Sequence, residues 1–302
     1  GSYDIVYSMV GFKSQLITVV VNKNYTQNII LEAAETNNLS EVVVRGKLKD
    51  RSEEIIRNVI RNKENILAAS GPYSCQVYIK ATQQDSAGVF NKNPKLLKDS
   101  AYLRNKDLLH MAMAEISLRY DHETDEKIKE ERTGVSKRGN AESLFFLSLT
   151  EGNFNLYNNL LKAPGLAPVP FLSPVSYSGL SAYKYKIIHT ATQGGHKLYT
   201  ISMKPKQLSN VTVEGELTIQ DSSWVILSAR FVLPGYHIPE YDLFEISQQY
   251  SYVNDQAWMI TRQQFRYASR YGKGKLSGET IADYQDFSLQ KQFPKNHFGL
   301  EV

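Results

Sequence analysis

Apolar and polar positions alternate with a period of two along most of the chain, and helical spacing appears in only two short stretches. Tyr73, Cys75, Val77, Ile79 and Ala81 alternate with Ser74, Gln76, Lys80 and Thr82, which predicts a strand with one face in a core. Ile116, Leu118 and Tyr120 resume the alternation, and the charged run from Asp121 to Arg138 reads as a solvated hairpin or edge strand. After Pro174 the pattern is a meander, with strands predicted over 182–189, 197–204, 211–219, 224–233, 243–253, 258–267 and 275–289. Gly194-Gly195, Asp221-Ser222-Ser223, Pro234-Gly235, Asn254-Asp255 and Gly272-Lys273-Gly274 supply the turns. Strands joined this briefly run antiparallel.

Helical spacing appears first at Ile55, Ile56, Val59 and Ile60, after Asp50 and Glu53 at capping-box separation. The pattern predicts a helix of roughly twelve residues, ending between Asn62 and Asn65. A second short helix is expected from Asn153 to Lys162, on the spacing of Phe154, Tyr157, Leu160 and Leu161. Residues 163–174 carry four prolines and read as a rigid connector, and 85–107 read as a loop. Upstream, short β-branched runs at 3–10, 16–21, 28–31 and 39–44 precede a charged linker at 45–51. These few strands do not close a sandwich, and Gly1-Ser2 leads into a strand already in progress. The chain is therefore expected to be a piece of a longer protein, with a partial sandwich at 1–46 and a second unit at 50–302.

Composition adds limits. With 302 residues there is room for two domains, and 42% hydrophobic against 22% charged residues is a globular balance. A formal charge of +4, with basic and acidic residues interleaved, leaves no nucleic-acid footprint. Cys75 stands alone, which excludes an internal disulfide framework and a cysteine-based zinc site, and its inward phase predicts a buried, inert thiol. No apolar run reaches the ~18 residues of a membrane-crossing helix.

The six histidines form no His-Glu-x-x-His arrangement, and there is no Gly-x-Ser-x-Gly elbow, phosphate loop or dinucleotide fingerprint. No metal, cofactor or catalytic residue is expected. Glu130 and Glu131, as strand neighbours, point to opposite faces and cannot work as a glycosidase pair. What remains is an apolar face. Val225, Leu227, Ala229, Phe231 and Leu233 share one phase of a strand, and Tyr183 and Tyr185 share one phase of another. These residues read either as packed core or as the lining of a cavity for an acyl chain or apolar peptide. Val225, Leu227, Phe231, Leu233, Tyr183 and Tyr185 are the candidate ligand contacts.

Two stretches carry a resemblance. Residues Ser8-Met9-Val10-Gly11-Phe12-Lys13-Ser14 and Leu39-Ser40-Glu41-Val42-Val43-Val44 resemble the second half of the carboxypeptidase regulatory-like domain, an accessory β-sandwich without peptidase activity. The rest resembles an uncharacterised family of Bacteroidetes outer-membrane proteins, in which such a sandwich precedes a domain of unknown function and then a membrane β-barrel. That likeness rests on the helix around Ile55 to Lys63, the Tyr73 to Lys80 strand, the Phe171-Leu172-Ser173-Pro174 to Tyr185 block, the Tyr199 to Lys206 strand, and Gly215 to Ile219 followed by Ser223-Trp224. Strand, polar turn, tryptophan and strand in succession are similar to the lipoprotein-carrier half-barrel.

The expected fold is therefore mainly β: a partial β-sandwich, then a curved antiparallel sheet of about eight strands with one or two covering helices. The resemblance implies a non-enzymatic binding or scaffolding region at the periplasmic face of the outer membrane. Its implied partners are the barrel of its own full-length chain and an apolar ligand or envelope protein. A structural spacer or protein-docking module is the alternative, and a hydrolase comes third.

Overall fold

The computed structural model describes residues 2–7, 15–20, 29–30, 50–85, 111–139, 141, 144–238, 240–271 and 274–299. Near the start, β1 (Ser2–Tyr7) and β2 (Gln15–Val20) pair antiparallel, from Ser2 opposite Val20 to Tyr7 opposite Gln15. Of the run expected at 28–31 only residues 29 and 30 are described, and neither is in a strand. The strand expected at 39–44 lies outside the described residues, as does the loop expected at 85–107 except for Asp85, which is still in a strand.

Helix α1 (Ser52–Ser70) leads into β3 (Tyr73–Asp85), β4 (Met111–Thr124) and β5 (Lys127–Arg138). An irregular stretch follows, containing the two-residue strands β6 (Leu160–Leu161) and β7 (Phe171–Leu172) and the short helix α2 (Tyr177–Ala182). The meander is β8 (Tyr183–Gln193), β9 (His196–Pro205), β10 (Glu214–Gln220), β11 (Ile226–Val232), β12 (Leu243–Val253), β13 (Ala257–Tyr271) and β14 (Gly274–Ser288).

Apart from the two small pairs β1-β2 and β6-β7, the described strands join one ten-stranded antiparallel sheet, ordered β5-β4-β3-β14-β13-β12-β11-β10-β9-β8. The sheet is open, with β5 and β8 as its edges, and forms a half-barrel. Its inner face can be read across the register: Ala114, Ala81, Thr280, Phe265, Ile246, Phe231, Gly215, Met203 and Tyr185 lie in one continuous row. Every side chain of that row is buried. The outer face is polar and carries cross-strand ion pairs such as Arg230–Glu245, Arg262–Asp283 and Arg266–Glu279. One face in a core and one in water is the usual state of an antiparallel sheet.

Helix α1 lies on the inner face, in contact with the edge strand β8 and with β13. It buries Ile55, Ile56, Val59, Ile60 and Ile66, one stripe at helical spacing. The helix is longer than its sequence suggests. Asn62 does not end it but donates from Nδ2 to the carbonyl of Ser223 at 2.7 Å, and Ile66 carries the inward stripe another turn. Its end comes at Gly71, where φ is 54°, and Gln290 donates to the carbonyls of Ala68 and Ala69 at 3.0 and 2.9 Å.

The helix expected over 153–162 is absent. Asn153 Oδ1 accepts from the amide of Asn155, and Asn155 Oδ1 from that of Tyr157, both at 3.1 Å. Such side-chain turns compete with helical hydrogen bonds, and residues 153 and 162 instead close an antiparallel bridge. Phe154, Leu156, Tyr157 and Leu161 still point inward and are buried. Together with Phe145, Phe146 and Phe171 this irregular stretch fills much of the concavity that α1 leaves open.

Candidate functional site

The six residues expected to contact a ligand lie where the half-barrel is filled. Val225, Phe231, Leu233, Tyr183 and Tyr185 belong to one buried core cluster. The hydroxyl of Tyr183 donates to the carbonyl of Leu172 at 2.7 Å, and that of Tyr185 to the carbonyl of Pro174 at 2.6 Å. The connector and α2 thus close this end of the sheet. Leu227 is off the inward phase. The register shifts between Thr218 and Ile219, so that Ser228 faces Thr218 but Ile226 faces Ile219, and Leu227 becomes the extra residue of a bulge. Ile226 is fully buried in its place, while Leu227 is half-buried against the margin of the core.

The space that remains is at the other end. A half-open cavity of about 530 Å3 lies between the end of α1, the β4–β5 hairpin, residues 149–164 and the inner faces of β12, β13 and β14. None of the six expected residues lines it. Its apolar wall includes Ile66, Phe146, Phe154, Trp258, Ile260 and Phe287. Leu67 and Leu160, at 37% and 42% exposure, stand at the opening. The volume falls within the ~300–1,000 Å3 common for small-molecule pockets. Leu233 does line a second, more open depression beside Leu208 and Tyr236.

The rim of the cavity is polar. The His122 ring stacks on Tyr73, with centroids 4.9 Å apart, and its Nε2 lies 3.7 Å from Asp125 Oδ1. Asp125 also accepts from Asn153 and Asn158 at 3.0 and 3.2 Å. His122 beside it, with help from Asn153 and Lys162, outweighs burial and holds the Asp125 carboxyl below its ordinary range.

The floor holds a buried polar network that the sequence reading missed. Gln248 and Gln263 are 1% and 6% exposed. Gln248 Nε2 donates to the carbonyl of Phe154 and to Gln263 Oε1, both at 2.9 Å, and Gln248 Oε1 accepts from Tyr250 at 3.0 Å. Gln263 Nε2 donates to the hydroxyl oxygen of Tyr284 at 2.6 Å. The signal was present in the sequence. Gln248 sits on the inward phase of Phe244, Ile246 and Tyr250, where a polar side chain needs a partner.

Two arrangements look catalytic and are not. Ser74, Asp121 and His297 form a hydrogen-bonded chain, with Ser74 Oγ at 2.5 Å and His297 Nε2 at 2.7 Å from the two Asp121 oxygens. The carboxylate stands between the other two, so the imidazole cannot take the serine proton. Glu130 is committed to Ser148 Oγ and the Leu149 amide, which position the turn at 149–151. Cys75 is buried, and burial pushes its thiol pKa up. Among the described residues no group of three His, Cys, Asp or Glu side chains can hold a metal ion, and no helix is long and apolar enough to cross a membrane.

By fold and site the protein is a mainly-β half-barrel with a helix across its inner face and a cavity at one end. Residues 55–287, from α1 to the end of β14, match the model of a family of unknown function, DUF5686, and the chain belongs to that family. No curated protein matches it. Similar solved structures include a LolA superfamily protein, NE2245, from Nitrosomonas europaea, at 10% identity and TM-score 0.36 over 80% of this chain and 96% of that one. A domain from Vibrio parahaemolyticus described as outer-membrane lipoprotein-sorting is 10% identical with TM-score 0.38, over 82% of this chain and 97% of that one. A DUF1329 family protein from Desulfovibrio piger gives 8% and 0.34, over 83% and 98%. At these scores the likenesses carry no functional argument, which must come from the site.

Proposed function

We propose that the protein is a non-enzymatic binding module of the bacterial envelope, whose cavity takes an apolar ligand such as a lipid acyl chain or an apolar peptide. The observation that supports this is the uneven filling of the half-barrel. One end is packed with the protein's own side chains, while the other keeps about 530 Å3 under apolar walls, bordered by half-exposed Leu67 and Leu160. A spacer needs no such space, and unfilled apolar volume costs stability. The envelope setting, a partial sandwich over 1–46, and association with an outer-membrane barrel of the same chain belong to this proposal. They rest on the resemblance of the opening segments and of the half-barrel sequence.

The test is native mass spectrometry of the whole chain, followed by organic extraction and lipid analysis. A co-purifying acyl lipid or apolar peptide is expected, reduced at least fivefold in Leu67→Arg and Ile260→Arg proteins that melt normally. A clean apo mass, together with no uptake of a fluorescent monoacylglycerol, would overturn the reading and leave a docking scaffold.

A further inference from the structure

The polar network at the cavity floor has a direction. The Phe154 carbonyl can only accept, so Gln248 must turn its NH2 group toward it. Gln248 Oε1 is then left for Tyr250, and the remaining N–H for Gln263 Oε1. That in turn fixes Gln263 with its NH2 group on the Tyr284 oxygen, which becomes an acceptor. The Tyr284 proton therefore points away from the network, and among the described residues no protein acceptor takes it. Tyr284 lines the cavity. Each bond in such a series polarises the next, so its last donor is strengthened.

The surroundings decide what that donor meets. Tyr73 and Tyr120 line the same cavity, with rings 6.1 Å apart, and their hydroxyls are further donors. Burial pushes the hydroxyl pKa values of Tyr73, Tyr120 and Tyr284 up, so all three keep their protons. The charged side chains of the lining are the carboxylates Glu123 and Asp125 and the single lysine Lys162, which faces Asp125. With two carboxylates to one lysine in the lining, an anionic head drawn in here would be desolvated beside an excess of negative charge.

We propose that Tyr284 donates to a neutral acceptor on the ligand, the carbonyl of an ester or amide that joins an acyl chain to its head, and thereby selects acyl esters over plain chains. The proposal rests on the cavity being a ligand site. It can fail separately. Two probes of equal chain length separate the cases, 1-monolauroylglycerol and 1-O-dodecylglycerol, which differ only in the carbonyl. Titration calorimetry on the intact chain is expected to show the ester bound about tenfold more tightly than the ether. In Tyr284→Phe, which removes the hydroxyl and keeps the ring, ester affinity should drop to that of the ether. The ether should stay within about twofold of its wild-type value. Equal binding of ester and ether by the wild-type protein would overturn the assignment, as would a Tyr284→Phe change that weakens both alike. Binding of neither probe would overturn the cavity reading itself.

Discussion

Asp121 shows how single residues fix the end of the described chain. It lies on the outer side of β4, 4% exposed, with Ser74 beside it on β3, Arg119 on its own strand and His297 reaching in from the final segment. Burial pushes its carboxyl up, but the hydrogen bonds from Ser74 and His297 and the charge of Arg119 prevail, and the pKa is lowered. A carboxyl lowered in the folded state stabilises the fold above its unfolded pKa of ~3.9 and loses that contribution as the pH falls through the folded value. In Asp121→Asn the hydrogen bonds to a charged acceptor go, at ~1.5–3 kcal/mol near neutral pH. Denaturant unfolding is expected to show the wild-type and variant stabilities converging between about pH 4 and pH 2. A gap that stays constant with pH would mean that Asp121 acts through packing alone.

At the scale of elements, alternation located the strands well, because turn residues bounded them and one face met a core. It could not see events in register. The bulge opposite Thr218 and Ile219 inverts the phase of β11 before Ser228, so Ile226 occupies the inner position that simple alternation gives to Leu227. Mutation separates the two phases. Ile226→Ala should cost ~2–5 kcal/mol, as for a buried aliphatic residue, and Leu227→Ala less than half as much. Equal losses in thermal unfolding would restore the unbroken phase.

Helix length was hidden for a related reason. Asn62 and Asn65 have the composition of a helix end, but the true stop depends on Gln290, 220 residues further along the sequence than Ser70. Gln290→Ala frees two carbonyls of the last turn, and at ~0.5–1.5 kcal/mol for each lost bond the end of α1 should exchange its amides faster while its first turns do not. Amide exchange that is unchanged from Leu67 to Ser70 would show that Gly71 alone ends the helix. The helix expected at 153–162 failed on the same competition between side chain and backbone, since Asn153 and Asn155 bind local amides that a helix would need.

For the whole molecule, the proposed function rests on the division between a filled and an open end, the feature least legible in the sequence. Apolar phase alone cannot say whether an inward residue meets a side chain or a space. Tyr183 and Tyr185 share the inward phase of β8, but their hydroxyls bond the connector at 163–174, and Phe231 is buried in the same core cluster. The division leads to an expectation about ligand binding as a whole. At a hundredfold excess over Kd, a ligand that binds only the folded state adds ~2.7 kcal/mol to stability. Its protection should be local, because the cavity touches the β4–β5 hairpin, residues 149–164 and β12 to β14 but not β8 or β9. Amide exchange with 1-monolauroylglycerol should slow around His122–Ile128 and Leu149–Pro164, with β8 and β9 unchanged. Protection centred on β8 to β11 instead would place the ligand among the packed side chains, and would require the connector to leave the sheet before anything binds.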